Sequence, residues 1–318
     1  MLFHPSAWNP SAWKANSPKF ALRECTESIY SCEKKMNRGG RAELSSYEDY
    51  TRKSGNYDKT REPVGTEILV GCFAHAPVPL DRTVVLDAGC GTGSYSDALL
   101  GYVGRIEAVD LNPGMLEVAA RKLAWAGDRI SFHYSRIEEL PFEDANLDGV
   151  MINQVLHHLP DDASEGFPAH RLAFQEFARV LKSGGILTVS TCSQEQLRHG
   201  YWHYHLIPEA ADALRNRYVP LDELLEILDD CGFTHRGSFA PTDATVQGES
   251  YFDPRGPLSK EWRDGDSVWS LVAGDRLDRA LSRLRKLDQR GELETYVARN
   301  DALRSHIGQA TIVYASRR

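Results

Sequence analysis

Three glycines at alternate positions stand between an apolar run and a helix-like segment. Residues 85–93 read VLDAGCGTG, with Asp87 before Gly89, Gly91 and Gly93. Glycine lets the backbone adopt positive φ and approach a ligand closely. A dinucleotide-binding turn has the spacing G-x-G-x-x-G and seats a pyrophosphate, whereas the spacing here is G-x-G-x-G. Because the carboxylate of Asp87 precedes the glycines, the loop is predicted to suit a cationic ligand better than a pyrophosphate.

A second acid follows the next apolar segment. Asp110 ends residues 105–110 and stands 21 residues after Gly89. At the carboxyl end of a neighbouring parallel strand, a carboxylate can accept hydrogen bonds from both hydroxyls of a ribose. The alternative is a helix N-cap, because Pro113 starts the next helix. Asn112 serves better as that cap, so we favour the ribose role for Asp110.

The elements that must position these acids alternate in type along the chain. Strands are predicted at 83–87, 105–110, 130–134, 147–153, 186–190, 233–239 and 310–315. Helical spacing predicts helices from Ser94 and over 115–123, 172–181, 221–228 and 277–287, with a break at Gly184 and Gly185. Because parallel strands need crossover connections, this alternation predicts an α/β fold with helices on both faces of the sheet.

Four segments follow from these patterns. Residues 1–40 lack a sustained apolar period and are predicted to be a disordered tail. Residues 41–240 form the core, 241–307 form a lid inserted between the last two strands, and 308–318 return to the sheet. The alternative for 241–307 is an extra packing layer that does not contact ligand.

Composition excludes several classes of protein. The 318 residues are 42% hydrophobic, which excludes a wholly disordered chain, and the net charge of -8 disfavours nucleic acid and anionic membranes. No apolar run reaches the roughly 18 residues that span a bilayer. The six cysteines form no C-x-x-C pair, which fits a reduced, cytoplasmic protein without a zinc site.

Five segments together resemble the class I S-adenosylmethionine-dependent methyltransferases of the small-molecule type. They are residues 85–93, VDLNPGML at 109–116, EELPF at 138–142, LHHL at 156–159 and RVLKSGG at 179–185. They keep the family's order and spacing across about residues 57–192. The resemblance implies a Rossmann-like seven-stranded sheet with a reversed final hairpin. It also implies S-adenosylmethionine as cofactor and in-line transfer of its methyl group to a small-molecule acceptor.

The resemblance also implies a cofactor site. The glycine loop would face the methionine part, Asp110 the ribose, and Met115 and Ile137 the adenine. Tyr57 would cover the sulfonium and Arg61 pair the cofactor carboxylate, unless 57–63 is an ordinary amphipathic helix. The predicted set is Tyr57, Arg61, Asp87, Gly89, Gly91, Gly93, Asp110, Leu111, Met115, Ile137, Glu138, Asn153 and Gln154.

One position departs from the family pattern. Arg136 and Ile137 stand where the family often has Asp or Ser followed by Ala. An arginine cannot accept a hydrogen bond, so the adenine would rely on packing and on the backbone around Ile137.

Histidines and aromatic residues follow the fourth and fifth predicted strands. His157 and His158 lie near the expected methyl position, and residues 199–205 read HGYWHYH. A base is needed only when the acceptor carries a proton at neutral pH, and histidine has a suitable pKa. We take His157, Tyr201 and His203 as catalytic candidates. The alternatives are a helix-capping histidine pair and a packed aromatic cluster, and without a partner carboxylate we expect no metal site.

Residues 262–269 read WRDGDSVW, which suggests either a pocket for an amine or a turn anchored by buried tryptophans.

For the protein as a whole, the alternatives to a small-molecule methyltransferase are a tRNA nucleoside methyltransferase and a cofactor-binding protein without turnover. An enzyme that methylates arsenic is less favoured, because Gln154 stands where such an enzyme would need a cysteine. The glycine spacing also argues against an NAD dehydrogenase. The acceptor, the methylated atom and the oligomeric state stay open.

Overall fold

The computed structural model describes residues 61–318, and a seven-stranded sheet forms its centre. The strands are β1 (Val84–Ala88), β2 (Arg105–Asp110), β3 (Ile130–Tyr134), β4 (Leu147–Asn153), β5 (Leu181–Thr191), β6 (Phe233–Phe239) and β7 (Thr311–Arg317). Their order is β3-β2-β1-β4-β5-β7-β6. β7 is antiparallel to β5 and β6, and the other pairs are parallel. The predicted α/β fold is confirmed, whereas the tail at 1–40 and Tyr57 lie outside the described residues.

Helices cover both faces of this sheet. They are α1 (Thr66–Phe73), α2 (Ser94–Leu99), α3 (Pro113–Lys122), α4 (Pro168–Val180), α5 (Gln194–His199), α6 (Pro208–Arg215), α7 (Leu221–Asp230), α8 (Lys260–Asp264), α9 (Asp275–Gln289), α10 (Leu293–Asp301) and α11 (Arg304–Ile307). Val85 packs in a core with α1, α2 and α3, whereas its neighbour Leu86 packs in another with α4 and α7. Successive strand residues point to opposite faces, so one short strand supplies both cores.

The passage from α4 into β5 corrects one prediction. We expected helix to Leu181 and a break at Gly184 and Gly185, but β5 begins directly at Leu181. Leu181 pairs with Leu147, and the next pair joins Ile186 to Gly149, so residues 182–185 bulge from the ladder. Gly184 has φ 75°, which lets the strand pass through this bulge.

A second hydrophobic core joins residues 192–218 to the insertion at 241–307. Its largest side chains include Trp202, Tyr251, Trp262 and Trp269, and α9 and α10 pack against them. β7 follows the insertion and enters the sheet between β5 and β6. Among residues 61–318, no helix combines the length and apolar composition needed to cross a membrane.

Candidate functional site

A cavity of about 380 Å³ opens at the carboxyl ends of β1, β2 and β4. Eleven of the predicted cofactor residues line it: Arg61, Asp87, Gly89, Gly91, Asp110, Leu111, Met115, Ile137, Glu138, Asn153 and Gln154. Gly93 is not among the lining residues. A volume in this range is typical of small-molecule sites, which occur at the strand ends of open α/β sheets.

The three glycines of the loop between β1 and α2 differ in their surroundings: Gly89 and Gly93 pack against neighbouring residues, whereas Gly91 faces open space. At Gly89 (φ 77°), a Cβ would lie 2.6 Å from Val155 Cγ2, so the loop and the residues after β4 are in close contact. At Gly91 (φ 54°), a Cβ would meet nothing within 4 Å and would project into open space. A Cβ at Gly93 would lie 2.8 Å from Leu123 Cδ1, so this glycine packs on α3.

Asp110 connects this loop to the end of β2. Its Oδ2 accepts a hydrogen bond from the Gly91 N–H over 2.8 Å, and its Oδ1 accepts one from the Asn112 N–H over 2.7 Å. Asn112 Oδ1 caps α3 by accepting from the N–H groups of Gly114 and Met115. An ionised carboxylate has about four lone-pair sites, so Asp110 retains acceptor capacity for a ligand hydroxyl after its bonds to the backbone.

Asp87 is buried at the end of β1. Burial, with a smaller contribution from the nearby Asp110, raises the pKa of its carboxyl from 3.8 to about 7, although hydrogen bonds from Ser96 oppose the shift. Ser96 Oγ donates that bond to Oδ2 over 2.7 Å. A carboxyl with a pKa near neutrality changes its charge readily, so a cationic ligand would favour its ionised form.

Asn153 and Gln154 end β4 at the cavity wall. Asn153 is 8% exposed, and its Oδ1 and Nδ2 find no hydrogen-bond partner among residues 61–318. An unsatisfied buried amide costs about 1–3 kcal/mol, so a ligand that both donates and accepts would suit it. Gln154 has φ 56°, a left-handed conformation that costs a non-glycine residue about 1–3 kcal/mol.

The predicted adenine end of the cavity is apolar with a polar rim. Met115 and Ile137 are buried and line it. The Arg136 guanidinium, which also lines it, donates to Glu138 Oε1 over 2.8 Å. Ser135, another lining residue, donates through Oγ to the Glu139 carbonyl. The arginine that departs from the family pattern is therefore paired with an acid.

The three predicted catalytic side chains are not among the residues that line the cavity. His157 is buried and stacks on Tyr218, with ring centroids 4.5 Å apart, and burial holds its pKa well below the usual range. His158, the next residue, lines the cavity instead. Tyr201 and His203 are buried in the second core, where burial lowers the pKa of His203 to about 3. Catalytic roles for His157, Tyr201 and His203 stay predictions without support from this geometry.

The segment between Trp262 and Trp269 folds as a turn anchored in the second core. Both tryptophans are buried, and Asp266 Oδ1 accepts a hydrogen bond from the Val268 N–H over 3.1 Å. This is the second of the two interpretations of that segment. Within residues 61–318, no three His, Cys, Asp or Glu side chains come together as metal ligands.

The cavity also has wall residues that the sequence did not reveal. Val246, from the start of the predicted lid, lines it together with Glu62. The Glu62 N–H donates to the Val246 carbonyl over 3.0 Å, and the Val246 N–H donates to Gln309 Oε1 over 2.9 Å. Further lining residues outside the predicted cofactor set are Pro63, Cys90, Thr92, Ser94, Tyr95, Asn112, Ser135, Arg136, Val155, His158, Leu159 and Pro160, of which Arg136 and His158 follow from the sequence pattern. No periodicity marks Val246, because its place depends on contacts with distant segments.

Comparison with known proteins assigns the family. A family model described as a methyltransferase domain matches residues 86–189. An uncharacterized methyltransferase of Mycobacterium bovis is 32% identical over 142 residues, which cover 45% of this chain and 67% of that protein. The chain belongs to the class I S-adenosylmethionine-dependent methyltransferase family. The matched residues include the glycine loop, Asp110 and the end of β4.

Two further proteins resemble the chain, one in sequence and one in fold. Demethylmenaquinone methyltransferase of Clavibacter sepedonicus is 36% identical over 156 residues, which are 46% of this chain. The match spans 59% of that relative's length. A solved structure from Anabaena variabilis, assigned to a methyltransferase of an antibiotic biosynthesis pathway, superposes with a TM-score of 0.63. It is 22% identical, and the match covers 80% of this chain and 98% of that one, which supports the same fold.

Proposed function

We propose that the chain is an S-adenosylmethionine-dependent methyltransferase that binds its cofactor in this cavity. The methyl group passes to a small-molecule acceptor by in-line displacement. One observation carries the proposal: the carboxylate of Asp110 is hydrogen-bonded to Gly91 beside open space at the ends of β1 and β2. This arrangement pairs a ribose acceptor with a loop that a ligand can approach closely.

The residues present fit the chemistry of the cofactor. Asp110 retains acceptor capacity for a ribose hydroxyl. Met115 and Ile137 offer an apolar surface to the adenine. The amide of Asn153 has unsatisfied donor and acceptor atoms, which complement the ammonium and carboxylate of an amino acid. Arg61 adds a guanidinium at the same cavity.

The protein contributes charge, position and exclusion of water to the transfer. S-adenosylmethionine supplies a methyl group bonded to a positive sulfur, which is a good leaving group. Asp87, once ionised, places a negative charge in the cavity wall near this cation. Pro63, Pro160 and Val246 shield the cavity with apolar groups. The acceptor must be held at near-attack distance, about 3–3.5 Å from the methyl carbon.

The methyl acceptor is proposed to be a small molecule, and the similarity to known methyltransferases does not specify which one. The demethylmenaquinone methyltransferase match covers less than half of this chain. The net charge of -8 opposes binding of a phosphate backbone. We also infer that residues 241–307 act as a lid, because Val246 reaches the cavity. A cytoplasmic location fits the four cysteines within 61–318, all of which are free thiols.

Transfer of a labelled methyl group tests the proposal. The protein is incubated with tritiated S-adenosylmethionine and either a metabolite extract or total tRNA, with Asp110→Asn as a binding-deficient control. We expect label in a small product with wild type and little label with the variant. Label confined to tRNA would favour the nucleoside methyltransferase instead. Cofactor binding without label in either fraction would favour a binding protein without turnover.

A further inference from the structure

We propose that Gln154 presents an oriented amide N–H to the ligand, and that Tyr218 is the positioning residue that fixes this orientation. The inference rests on the proposed function, because it concerns the same cavity. It assigns to these two residues the recognition of a hydrogen-bond-accepting oxygen at the β4 end of the site.

The backbone at Gln154 is held in a conformation that a glutamine rarely adopts. Its φ is 56°, and its N–H donates to the Ser190 carbonyl over 2.9 Å. Val155, the next residue, then packs against Gly89 of the glycine loop. Left-handed non-glycine residues persist where the surrounding structure determines them, often at ligand sites. The turn at Gln154 thus connects β4 to the loop while its side chain stays at the cavity wall.

The side chain of Gln154 is fixed by three neighbours. The Tyr218 hydroxyl donates to Oε1 over 3.2 Å, and the Cys192 thiol lies 3.6 Å both from this atom and from the Tyr201 hydroxyl, so its one proton serves either acceptor. Burial raises the pKa of Cys192 to about 11, so the thiol keeps its proton at neutral pH. Nε2 makes one long bond of 3.4 Å to Ser190 Oγ.

These bonds determine which chemistry Gln154 can offer. An amide oxygen has two lone pairs, of which the Tyr218 hydroxyl takes one and the Cys192 thiol contacts the other. An amide nitrogen has two hydrogens, of which Ser190 uses one. Since Gln154 lines the cavity, the remaining N–H is available to a ligand there. The matching ligand group is a carboxylate or another oxygen acceptor.

Tyr218 is itself held firmly. It is 6% exposed, its ring stacks on His157 at an interplanar angle of 13°, and its carbonyl accepts from Gln194 Nε2 over 3.1 Å. His157 therefore supports Tyr218 from outside the cavity. Removing the Tyr218 hydroxyl leaves an Oε1 acceptor of Gln154 short of a donor and frees the amide to rotate.

The oxygen acceptor has two sources, the carboxylate of the cofactor and an oxygen of the methyl acceptor. Binding of S-adenosylhomocysteine and of 5′-methylthioadenosine, which lacks the amino-acid part, distinguishes them. The variants are Tyr218→Phe and Gln154→Met, and the latter keeps side-chain length without the amide. Tyr296→Phe is the matched control, because within residues 61–318 this buried hydroxyl has no hydrogen-bond partner.

If the cofactor carboxylate is the partner, both variants should bind S-adenosylhomocysteine roughly tenfold more weakly. Their binding of 5′-methylthioadenosine, and both affinities of Tyr296→Phe, should match wild type. If the methyl acceptor is the partner, both affinities stay unchanged and label transfer at saturating cofactor slows instead. Equal loss for both ligands, or no change in binding and transfer, would overturn the assignment. Failure of wild type to bind S-adenosylhomocysteine would contradict the proposed function itself.

Discussion

The carboxylate of Asp110 accepts a hydrogen bond from the Gly91 N–H over 2.8 Å, so the end of β2 holds the loop that follows β1. The same carboxylate accepts from Asn112, which caps α3. One side chain therefore fixes the loop, orients the next helix and faces the cavity. The acid at the end of β2 therefore shapes the site as well as lining it.

Replacing Asp110 tests its contact with the ribose. Asp110→Asn keeps size and one acceptor oxygen but loses the charge, so bonds to ribose hydroxyls weaken. We expect affinity for S-adenosylhomocysteine to fall by about 1.5–3 kcal/mol, or roughly tenfold to a hundredfold, by calorimetry. Asp97→Asn, an exposed change on α2, is the control and should bind as wild type. Unchanged affinity in the Asp110 variant would remove the ribose assignment.

Alanine substitutions at Gly91 and Gly93 should differ in their effects on ligand affinity and on melting temperature. In Gly91→Ala the new Cβ projects into open space, so affinity for S-adenosylhomocysteine should fall while the melting temperature drops by no more than the backbone strain causes. In Gly93→Ala the Cβ lies 2.8 Å from Leu123, so the melting temperature should fall more. Both positions have positive φ, which equalises backbone strain. The opposite ranking in the two measurements would place the ligand elsewhere.

Asp87 should make stability depend on pH. Because burial raises its pKa to about 7 from 3.8, the folded protein binds more protons than the unfolded chain between these values. Its contribution is present at about pH 4 and is lost as the pH rises through about 7. Urea unfolding at about pH 5 and about pH 7.5 should show a smaller stability change in Asp87→Asn than in wild type. Equal changes would mean that Asp87 is ionised throughout.

His203 should make the free energy of unfolding decrease as the pH falls, which is the opposite of the effect of Asp87. The pKa of His203 is lowered to about 3, so the unfolded chain binds more protons below about pH 6.5 and the stability contribution is lost as the pH falls. His203→Phe keeps an aromatic ring and removes two nitrogens that have no hydrogen-bond partner among the described residues. The variant should lose less stability between about pH 6.5 and about pH 4 in urea unfolding. A wild-type profile in the variant would indicate that His203 does not change its charge on unfolding.

The ends of β1 and β2 could be predicted from sequence because strand pattern, glycine spacing and acid position agree there. Asp87, Gly91 and Asp110 all line the cavity as expected. The sequence could not distinguish which of the adjacent residues His157 and His158 faces the cavity. A short 3₁₀ turn at Leu156–His158 buries His157 against Tyr218 and leaves His158 at the cavity. No sequence period specifies that rotation.

Long-range packing explains what else the sequence did not reveal. Tyr201 and His203 follow β5, where substrates often bind, but apolar burial against the insertion draws them into the second core. Val246 reaches the cavity through hydrogen bonds involving Glu62 and Gln309, far apart in the chain. Contacts of this kind depend on the assembled fold rather than on local propensity.

Isothermal titration of wild type with S-adenosylhomocysteine, and separately with NAD, shows whether the cavity binds the product of the methyltransferase cofactor. We expect one saturable site for S-adenosylhomocysteine that weakens in Asp110→Asn and in Gly91→Ala, with no measurable heat from NAD. Saturable binding of NAD with none for S-adenosylhomocysteine would contradict this expectation.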